Sequence, residues 1–357
     1  MKTAPAPAHR KILYVGELLA GSTSLQRCEG LERLGCQVER IATRRPNWRF
    51  GPMSRISYAA YRSGLPAPTP DPMAVNEQIR SAMVRDKPDQ LWLDKALSVR
   101  RATLRTARRL APDLRIVGYS PDDMGQRHNR SRAFDSHVRD YDVFFTTKSY
   151  GVEDLSRLGC VRPVFVANAY DPKIHRPLVP SVGEREAFGA DISFIGTYEP
   201  DRHRAIAALA AAGLPVRVWG SGWERAPPLD GVRIEGRALY GDDYARVLCA
   251  SRINLCFLRK LNRDLQTTRS VEIPACGAFM LAERTSEHLS LFKEGAEAAF
   301  FQDDDELVDQ CRWYLNHEVD RRAVALAGRA RCLSSGYSND ERLDEMLAVV
   351  ARLPADR

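Results

Sequence analysis

The residues best suited to chemistry lie in one block, residues 262–283, which reads NRDLQTTRSVEIPACGAFMLAE. Asp264 and Glu272 are two carboxylates separated by seven residues, and Arg269 lies between them. Carboxylates can accept hydrogen bonds from ribose and sugar hydroxyls, whereas a guanidinium can neutralise a diphosphate leaving group. A nucleotide diphosphate sugar requires this combination, so we expect the block to bind such a donor.

The same block predicts a helix that starts at a ligand. Thr267 or Thr268 can cap a helix carrying Arg269 and Glu272, and Gly277 can end it before the next strand. Free N–H groups and the helix dipole at such a start favour a phosphate. The structural alternative is an ion pair between Arg269 and Glu272, which would be i, i+3 neighbours on one helix.

Other nucleotide- and metal-binding signatures are missing from the sequence. Gly220–Ser221–Gly222 is a lone GxG without the rest of a dinucleotide fingerprint, and no P-loop is present. Without an HExxH motif or ligand-spaced histidines, we predict no metal site and no cofactor beyond the donor substrate. The DxD within Asp303–Asp305 is interpreted as a helix N-cap with an acidic first turn.

Two stretches of the chain begin with the same order of elements. Residues 11–16 (KILYVG) form an apolar run that precedes a small-residue loop, a helical pattern and a strand at 37–41. The order recurs from residues 191–196 (DISFIG) through an Ala-rich helix to a strand at 216–220 (VRVWG). Each stretch reads as the start of a βαβ unit, so we predict an α/β protein with two Rossmann-like halves.

Further short apolar runs predict mainly parallel sheets covered on both faces. They are residues 90–93, 115–119, 143–146 and 164–167 in the first half, and 232–234, 253–257, 279–282 and 298–301 in the second. Residues 47–71 are rich in Pro, Gly and Ser and are predicted to form a long loop or lid. An amphipathic pattern predicts a last helix at about residues 340–352.

A chain of 357 residues is too long for one core of usual size. We predict an acceptor domain at residues 1–175 and a donor domain at residues 176–335, with their sheets facing across a cleft. The turn-rich stretch 168–180 would connect them. Residues 336–357 are expected to form a helix that crosses back to the first domain.

Charge is distributed unevenly along the chain. Residues 1–175 carry 29 Lys and Arg against 18 Asp and Glu, a net charge of +11, whereas residues 176–357 carry 24 against 28, a net charge of −4. A basic half attracts an anionic partner such as a phosphorylated glycan, an acidic lipid surface or nucleic acid. Because we find no recognised nucleic-acid motif, and the arginines of residues 100–109 lack interleaved aromatics, nucleic acid is the least favoured partner.

Compartment is inferred from three features of the sequence. No apolar stretch approaches the ~18 residues that cross a bilayer, and residues 1–9 do not resemble a signal peptide. The eight cysteines are scattered without a CxxC pair and are predicted to be reduced core thiols. We expect a cytoplasmic protein, with the inner membrane face as one anionic surface that its basic half could contact.

Several segments in combination resemble a known family. VEIPACGAFMLAE is similar to the LEAMACGxPVIA signature of GT-B glycosyltransferases, and RSVEIPACGAF followed by EHLSLFKEGAEAAFFQDDDEL resembles their CgeB-like, spore-maturation-type branch. FIGTYEPDR, VWGSGW and NAYDPKIHRP are similar to that branch's donor-domain opening, its next strand and turn, and its interdomain segment. The resemblance covers the second half of the chain well and the first half loosely. It implies a GT-B fold and hexosyl transfer from a nucleotide diphosphate sugar.

The resemblance also implies roles for single residues. Glu272 falls on the acid that holds the donor ribose. Asp264 falls on the first acid of the Glu-x7-Glu pair, near the transferred sugar, where the shorter aspartate leaves the retaining outcome open. At Gly196 and Thr197 the backbone would approach the diphosphate, and the cations Arg202, Arg259, Lys260 and Arg269 would neutralise it. The loop of Gly236 and Arg237 would face the base. Gly220 and, at the helix start, Thr268 are the remaining donor-binding residues.

The acceptor side offers fewer signals. Asp122 and Asp123 follow a predicted strand whose carboxyl end opens on a crevice, so either could be a general base or bind an acceptor hydroxyl. Gly16 and His128 are the candidate acceptor-binding residues. A surface turn or a structural role is the alternative for the two aspartates and for His128.

Two other functions fit the predicted architecture. A binding protein would clamp a nucleotide or glycan without chemistry, and a nucleic-acid-directed protein would use the basic N-terminal half. The motifs favour a glycosyltransferase acting on a glycan, a lipid-linked molecule or a protein.

Overall fold

The computed structural model describes residues 10–46 and 51–354. The chain forms two compact units, the first comprising Met1–Ala167 with Asn339–Arg357 and the second Asn168–Ser338. The sequence placed the boundaries after residues 175 and 335, whereas the structure has them after Ala167 and Ser338. Residues 168–175 join the second unit because the N–H of Asn168 donates to the side chain of Gln266 (3.2 Å) and that of Tyr170 to the carbonyl of Tyr337 (3.1 Å).

Twelve strands form the two sheets. They are β1 (Lys11–Gly16), β2 (Gln37–Ala42), β3 (Gln90–Asp94), β4 (Arg115–Ser120), β5 (Val143–Thr146), β6 (Pro163–Phe165), β7 (Ile192–Ile195), β8 (Val216–Trp219), β9 (Val232–Ile234), β10 (Ile253–Cys256), β11 (Met280–Glu283) and β12 (Ala299–Phe301). Every predicted strand is confirmed, with ends that differ by one or two residues.

Fourteen α-helices accompany the strands in the described residues. They are α1 (Thr23–Arg33), α2 (Pro52–Arg62), α3 (Val75–Arg85), α4 (Arg101–Leu110), α5 (Arg132–His137), α6 (Gly151–Arg157), α7 (Val182–Phe188), α8 (Pro200–Ala211), α9 (Gly241–Ala250), α10 (Arg269–Ala275), α11 (Ser286–Leu291), α12 (Asp304–Asn316), α13 (Glu318–Ser334) and α14 (Asn339–Ala351).

The first unit contains a six-stranded sheet in the order β2-β1-β3-β4-β5-β6. All pairs in it are parallel. The chain first adds β2 on one side of β1 and then places β3 on the other side. The strand order therefore reverses between β1 and β3, and the carboxyl ends of these strands form the usual ligand position of an open α/β sheet.

The second unit contains a six-stranded sheet in the order β12-β11-β10-β7-β8-β9. Its pairs are also parallel, and the strand order reverses between β7 and β10. Separate hydrophobic clusters bury the two faces of this sheet. This is the strand order of the dinucleotide-binding fold, with the ligand expected beside the ends of β7 and β10.

The prediction of a loop or lid at residues 47–71 is wrong for its central part. Residues 47–50 lie outside the described residues, but Pro52–Arg62 is the helix α2. Pro52 occupies the first helical turn, where its missing N–H costs nothing. Tyr61 is buried and its hydroxyl donates to Asp135, so tertiary contacts fix this helix despite the loop-like composition around it.

The last helix packs on the first unit, as predicted. Leu343, Met346 and Leu347 of α14 are buried in one hydrophobic cluster with Leu31 of α1 and residues of the sheet. Arg33 and Asp340 form an ion pair of 2.5 Å between the two helices. The C-terminal segment thus completes the core of the unit in which the chain begins.

The structure shows the state of the cysteines and the character of the helices. All eight cysteines are free; seven are buried and Cys249 is half-buried. Within the described ranges, we find no helix with the length and apolar character of a bilayer span.

Candidate active site

Backbone segments approach closely at the carboxyl edge of the second sheet. The N–H of Gly196, after β7, donates to the carbonyl of Trp219 (2.8 Å), and the N–H of Gly220, after β8, donates to the carbonyl of Arg237 (2.9 Å). Gly220 has φ +145°, and a Cβ there would lie 1.9 Å from the carbonyl oxygen of Gly196. Only glycine fits at this position. The structure therefore brings three predicted donor-binding segments together: residues 196–197, residue 220 and residues 236–237.

Arg202 lies buried beside this edge, in the first turn of α8. Its Nη1 donates to the carbonyl of Thr197 (2.9 Å) and its Nη2 to the carbonyl of Leu258 (3.4 Å), while Glu199 lies 3.7 Å away. Burial, together with the neighbouring charge of Arg269, lowers the pKa of Arg202 to about 10. The positive charges of Arg202 and Arg269 therefore lie close together, with the carboxylate of Glu199 beside Arg202.

Arg269 lies next to Arg202 and is held in the same manner. Its Nη2 donates to the carbonyl of Phe257 (3.1 Å), the residue before Leu258. Both guanidinium groups flank the ring of Phe194, 5.7 and 5.8 Å from its centroid. The Nε atoms of both arginines are buried and have no hydrogen-bond partner among the described residues. Buried charged donors without a partner are costly, and a ligand anion would satisfy them.

The two other predicted cations are more exposed and more fully paired. Arg259 forms an ion pair of 2.9 Å with Glu199, and Lys260 pairs with Glu283. Glu283 also accepts a hydrogen bond of 2.8 Å from the N–H of Leu258. These carboxylates hold the loop after β10 in place, so its carbonyls stay directed at Arg202 and Arg269.

Asp264 lies further along the same loop, after Arg259. Its N–H donates to the carbonyl of Arg259 (3.2 Å), and the preceding Arg263 has φ +49°, a left-handed conformation that is uncommon outside glycine. The charge of Asp264 opposes the lowering of the pKa of Arg202, which places the carboxylate within electrostatic reach of the arginine cluster.

A pocket of about 390 Å³ opens beside these residues. Arg202, Leu258, Lys260 and Glu283 line one part of it, and residues 303–305 line another. The side chain of Asp303 accepts from the N–H of Glu306 (2.9 Å), which confirms the predicted N-cap of α12.

Glu272 is buried and is held by the side chains of Tyr244 and His175. The hydroxyl of Tyr244 donates to Oε2 (2.8 Å), and Nε2 of His175 lies 3.6 Å from Oε1. Nδ1 of His175 accepts from the N–H of Asp171 (2.9 Å), so the proton of the neutral ring is on Nε2, facing Glu272. Burial and the charge of Glu272 raise the pKa of Tyr244 well above its usual value, so the phenol stays a donor.

The alternative of an internal ion pair between Arg269 and Glu272 is wrong. Arg269 bonds a backbone carbonyl, whereas Glu272 faces Tyr244 and His175. The spacing i, i+3 permits such a pair, but the two side chains are drawn to different partners. Both charges are thus available to different parts of a ligand.

The predicted threonine cap of α10 is also wrong. Thr268 already has helical angles (φ −57°, ψ −38°), and its side chain makes no cap hydrogen bond. Ser270 supplies the contact instead, because its Oγ accepts from the N–H of Thr267 (3.0 Å) and lies 2.7 Å from Nε2 of His288. Nδ1 of His288 is 2.6 Å from the carbonyl of Glu283, so this buried histidine links the start of α10 to the end of β11.

The candidate acceptor residues lie at the carboxyl edge of the first sheet. Asp122 pairs with Lys95 and is partly exposed. Asp123 is fully buried and accepts from the N–H of Gly125 (2.9 Å), which is a turn-stabilising contact. A Cβ on Gly16 would lie 2.3 Å from Oγ of Ser24, so this glycine allows α1 to approach β1. His128 is half-buried in a short 3₁₀ turn.

Three side chains of the site were not predicted. Phe194 reads only as a buried strand residue, and Tyr244 occupies an apolar position of a helical pattern. His175 lies in the stretch interpreted as a connection. Each is brought to the site by tertiary folding, and no local pattern distinguishes it. Trp219 and Trp223, which flank Gly220, are both almost fully buried in the core.

Comparison with known proteins gives one match to a family model and matches to solved structures. Residues 202–348 match the family model described as "Glycosyl transferase-like". A comparison with curated protein sequences finds no match.

Three solved structures illustrate the similarity in fold. Anabaena HepE in complex with UDP and glucose is 13% identical, with a TM-score of 0.65 over 97% of this chain and 100% of that chain. Sucrose-phosphate synthase from Thermosynechococcus elongatus is 13% identical, with a TM-score of 0.63 over 96% and 99%. A putative UDP-N-acetylglucosamine 2-epimerase from Listeria monocytogenes is 11% identical, with a TM-score of 0.53 over 96% of each chain.

At such identities the similarity establishes the fold alone, and one fold supports several reactions. The two parallel six-stranded sheets with flanking helices are those of the GT-B structures, as predicted. The protein therefore has the GT-B fold, and within it residues 202–348 match the glycosyl transferase-like family model.

Proposed function

We propose that the protein is a glycosyltransferase that takes a sugar from a nucleotide diphosphate sugar bound by the second unit. The observation that carries this proposal is the arginine pair beside β7 and β10. Arg202 and Arg269 are fixed by consecutive backbone carbonyls, and their buried Nε atoms have no partner among the described residues. A diphosphate has the charge and the acceptor oxygens to satisfy both.

Backbone atoms at the same edge would complete the diphosphate site. Gly196 and Gly220 let the chain approach a ligand without side chains in between, and the 12-residue helix α8 starts directly after the loop. Free amides at a helix start favour phosphate. Each fixed donor facing the leaving group is worth ~2–4 kcal/mol in the transition state. The arginines and the backbone amides together would neutralise the leaving diphosphate without a metal ion or a further cofactor.

Glu272 would hold the ribose. Tyr244 and His175 orient its carboxylate, whose remaining lone pairs can accept hydrogen bonds from two hydroxyls. The base would lie against the loop of Gly236 and Arg237, whose backbone already contacts Gly220. Asp264 is proposed to lie near the transferred sugar, within electrostatic reach of Arg202.

Asp122 is the proposed general base for the acceptor. Of the two adjacent aspartates it is the accessible one, and Lys95 fixes its orientation. The acceptor that we propose is a glycan or another sugar with anionic character, and the enzyme a cytoplasmic, CgeB-like hexosyltransferase. The motifs in the second half of the chain support that branch, and the complex of HepE with UDP and glucose makes UDP the first nucleotide to test.

The test is release of sugar from UDP-glucose, UDP-N-acetylglucosamine and the corresponding GDP and dTDP donors, with water as a slow acceptor. A glycosyltransferase frees the labelled sugar and the nucleoside diphosphate in equal amounts. If a donor binds and stays intact, the protein is a binding protein. If the bound sugar is converted to its epimer without release, the reaction is epimerisation and the proposal fails.

A further inference from the structure

A second pocket, of about 530 Å³, lies at the carboxyl edge of the first sheet. Glu17 follows β1, Arg44 follows β2 and Lys95 follows β3, and all three line it. The strand order reverses between β1 and β3, so the pocket occupies the position at which open α/β sheets bind ligands. Its volume is that of a small-molecule site.

One face of α2 forms a wall of this pocket. Arg55, Tyr58, Ala59 and Arg62 line it, and their spacing of i, i+3, i+4 and i+7 places them on one side of the helix. Burial raises the pKa of Tyr58, and the charge of Arg62 acts in the opposite direction, so this guanidinium lies near the phenol. Tyr58 is the one aromatic residue among those lining the pocket.

The carboxylates that line the pocket are already engaged. Glu17 forms an ion pair of 3.1 Å with Arg44. Asp71 accepts from the backbone N–H groups of Val75 (2.8 Å) and Asn76 (3.0 Å) at the start of α3. Both carboxylates therefore have partners of their own.

The arginines of α2 give the pocket its excess positive charge. Arg55 and Arg62 are exposed, and neither forms an ion pair with any residue of the described chain. Lys95 adds a third cation, although Asp122 pairs with it. A concave site with an excess of positive charge attracts an anionic group.

Lys95 is held at the pocket by a rigid support. It has φ +47°, a backbone conformation that non-glycine residues keep only where their surroundings fix it. The preceding Asp94 is buried and accepts from Arg27 (2.7 and 2.9 Å) and from the hydroxyl of Tyr14 (2.6 Å). The end of β3, and with it Lys95, is thereby fixed in position.

We propose that this pocket is the acceptor subsite and that it binds a phosphorylated sugar, with Arg55 and Arg62 contacting the phosphate. The proposal rests on the glycosyl transfer proposed above. Size and chemistry favour this ligand: the volume suits one sugar phosphate, and a single tyrosine is no stacking platform for a nucleic-acid strand. The carboxylate of Asp122 pairs with Lys95, which lines the pocket, and would act on a hydroxyl of the same molecule.

The test compares binding of glucose 6-phosphate and glucose, by calorimetry at constant ionic strength with excess UDP present. The full-length protein is compared with the double variant Arg55→Ala/Arg62→Ala. The control double variant is Arg105→Ala/Arg109→Ala, which removes two exposed arginines of α4 and changes net charge equally. We expect the phosphate to improve affinity about tenfold over glucose, and the pocket variant alone to lose about tenfold.

Two results would overturn the subsite. One is that glucose 6-phosphate does not bind, or that it binds with equal affinity to the wild-type protein and both double variants. The other is binding of a polynucleotide, and not of glucose 6-phosphate, that depends on Arg55 and Arg62. UDP affinity is measured in the same proteins and should not change. If glucose 6-phosphate binds as expected but no donor sugar is ever released, the proposed transfer fails and the acceptor role falls with it, whereas the anion site stands.

Discussion

At the scale of single residues, the donor site depends on guanidinium groups whose positions are set by backbone carbonyls. Arg202 and Arg269 each use one Nη atom to hold on to the loop after β10 and keep a buried Nε for a ligand. A lysine could supply the charge. Its single ammonium group could not bond the loop and a phosphate at the same time in two fixed directions. Arginine is therefore required at both positions.

A buried histidine makes the stability of the protein depend on pH. His137 is fully buried between the rings of Phe134 and Tyr141, and burial lowers its pKa from 6.5 to about 4. A lowered pKa means that the folded state binds the proton less well than the unfolded state. The contribution of the neutral His137 to the free energy of unfolding is therefore complete above pH 6.5, and it is lost as the pH falls from 6.5 to about 4.

We expect the variant His137→Phe to lose this dependence. Between about pH 7.5 and about pH 5, the free energy of unfolding of the wild-type protein should fall by about 2 kcal/mol more than that of the variant. Urea unfolding at the two pH values gives both differences. Equal pH dependence in the two proteins would show that His137 is not the titrating group.

At the scale of elements, the approach of the loops after β7 and β8 requires glycine at one position. Gly220→Ala would place a Cβ 1.9 Å from the carbonyl oxygen of Gly196, in a backbone conformation of φ +145°. We expect a loss of about 3 kcal/mol of stability or more, and weaker nucleotide binding. Urea unfolding and nucleotide titration are the measurements.

Gly213→Ala is the matched control for this element. Gly213 follows α8 with φ +74°, and a Cβ there would meet no atom within 4 Å. Only backbone strain should result, at a cost of about 1 kcal/mol. Similar losses in the two variants would contradict the close approach of the two loops.

The elements of the fold could largely be predicted from the sequence. Parallel strands that are buried on both faces need continuous apolar runs, and such runs identify β3 and β10. Helix α2 was missed because its surroundings are rich in Gly, Pro and Ser, and its packing is tertiary: Tyr61 contacts Asp135, far along the chain.

The candidate site was predictable only in part. Charged residues next to a strand end or a helix start, such as Arg202 and Arg269, can be selected from sequence because their types point to a phosphate. Their partners cannot, since the carbonyls of Phe257 and Leu258 carry no signal in the residue type. Tyr244 and His175 converge on Glu272 from distant segments, and one sequence contains no record of that convergence.

At the scale of the whole molecule, the two units share an architecture and differ in strand order and charge. The first unit is discontinuous, because α14 returns to it after the second unit is complete. Leu343, Met346, Leu347 and Val350 of that helix are each at most 3% exposed. Burial of such side chains contributes about 1.5–3 kcal/mol each, which together approaches the total stability of a typical domain.

We expect a protein that ends at Ser338 to lose the fold of its first unit and to keep that of its second. Limited proteolysis with mass spectrometry should show rapid cleavage before Ala167 and a protected fragment near residues 168–338. Asp344→Ala, an exposed change on α14, is the control and should leave the full-length pattern unchanged. Equal protection of both units after the truncation would show that α14 is dispensable.

The central claim is that Arg269 binds a nucleotide diphosphate, and calorimetric titration of UDP, GDP, dTDP and CMP into wild-type, Arg269→Ala and Arg322→Ala proteins tests it most directly. Arg322 is a control in the same unit, since its side chain is 74% exposed. We predict that one nucleoside diphosphate binds the wild-type and control proteins. Arg269→Ala should bind it about ten- to a hundredfold more weakly at an unchanged melting temperature, because one charge-assisted hydrogen bond is lost. Equal affinity in all three proteins, with a lower melting temperature for Arg269→Ala, would contradict the claim.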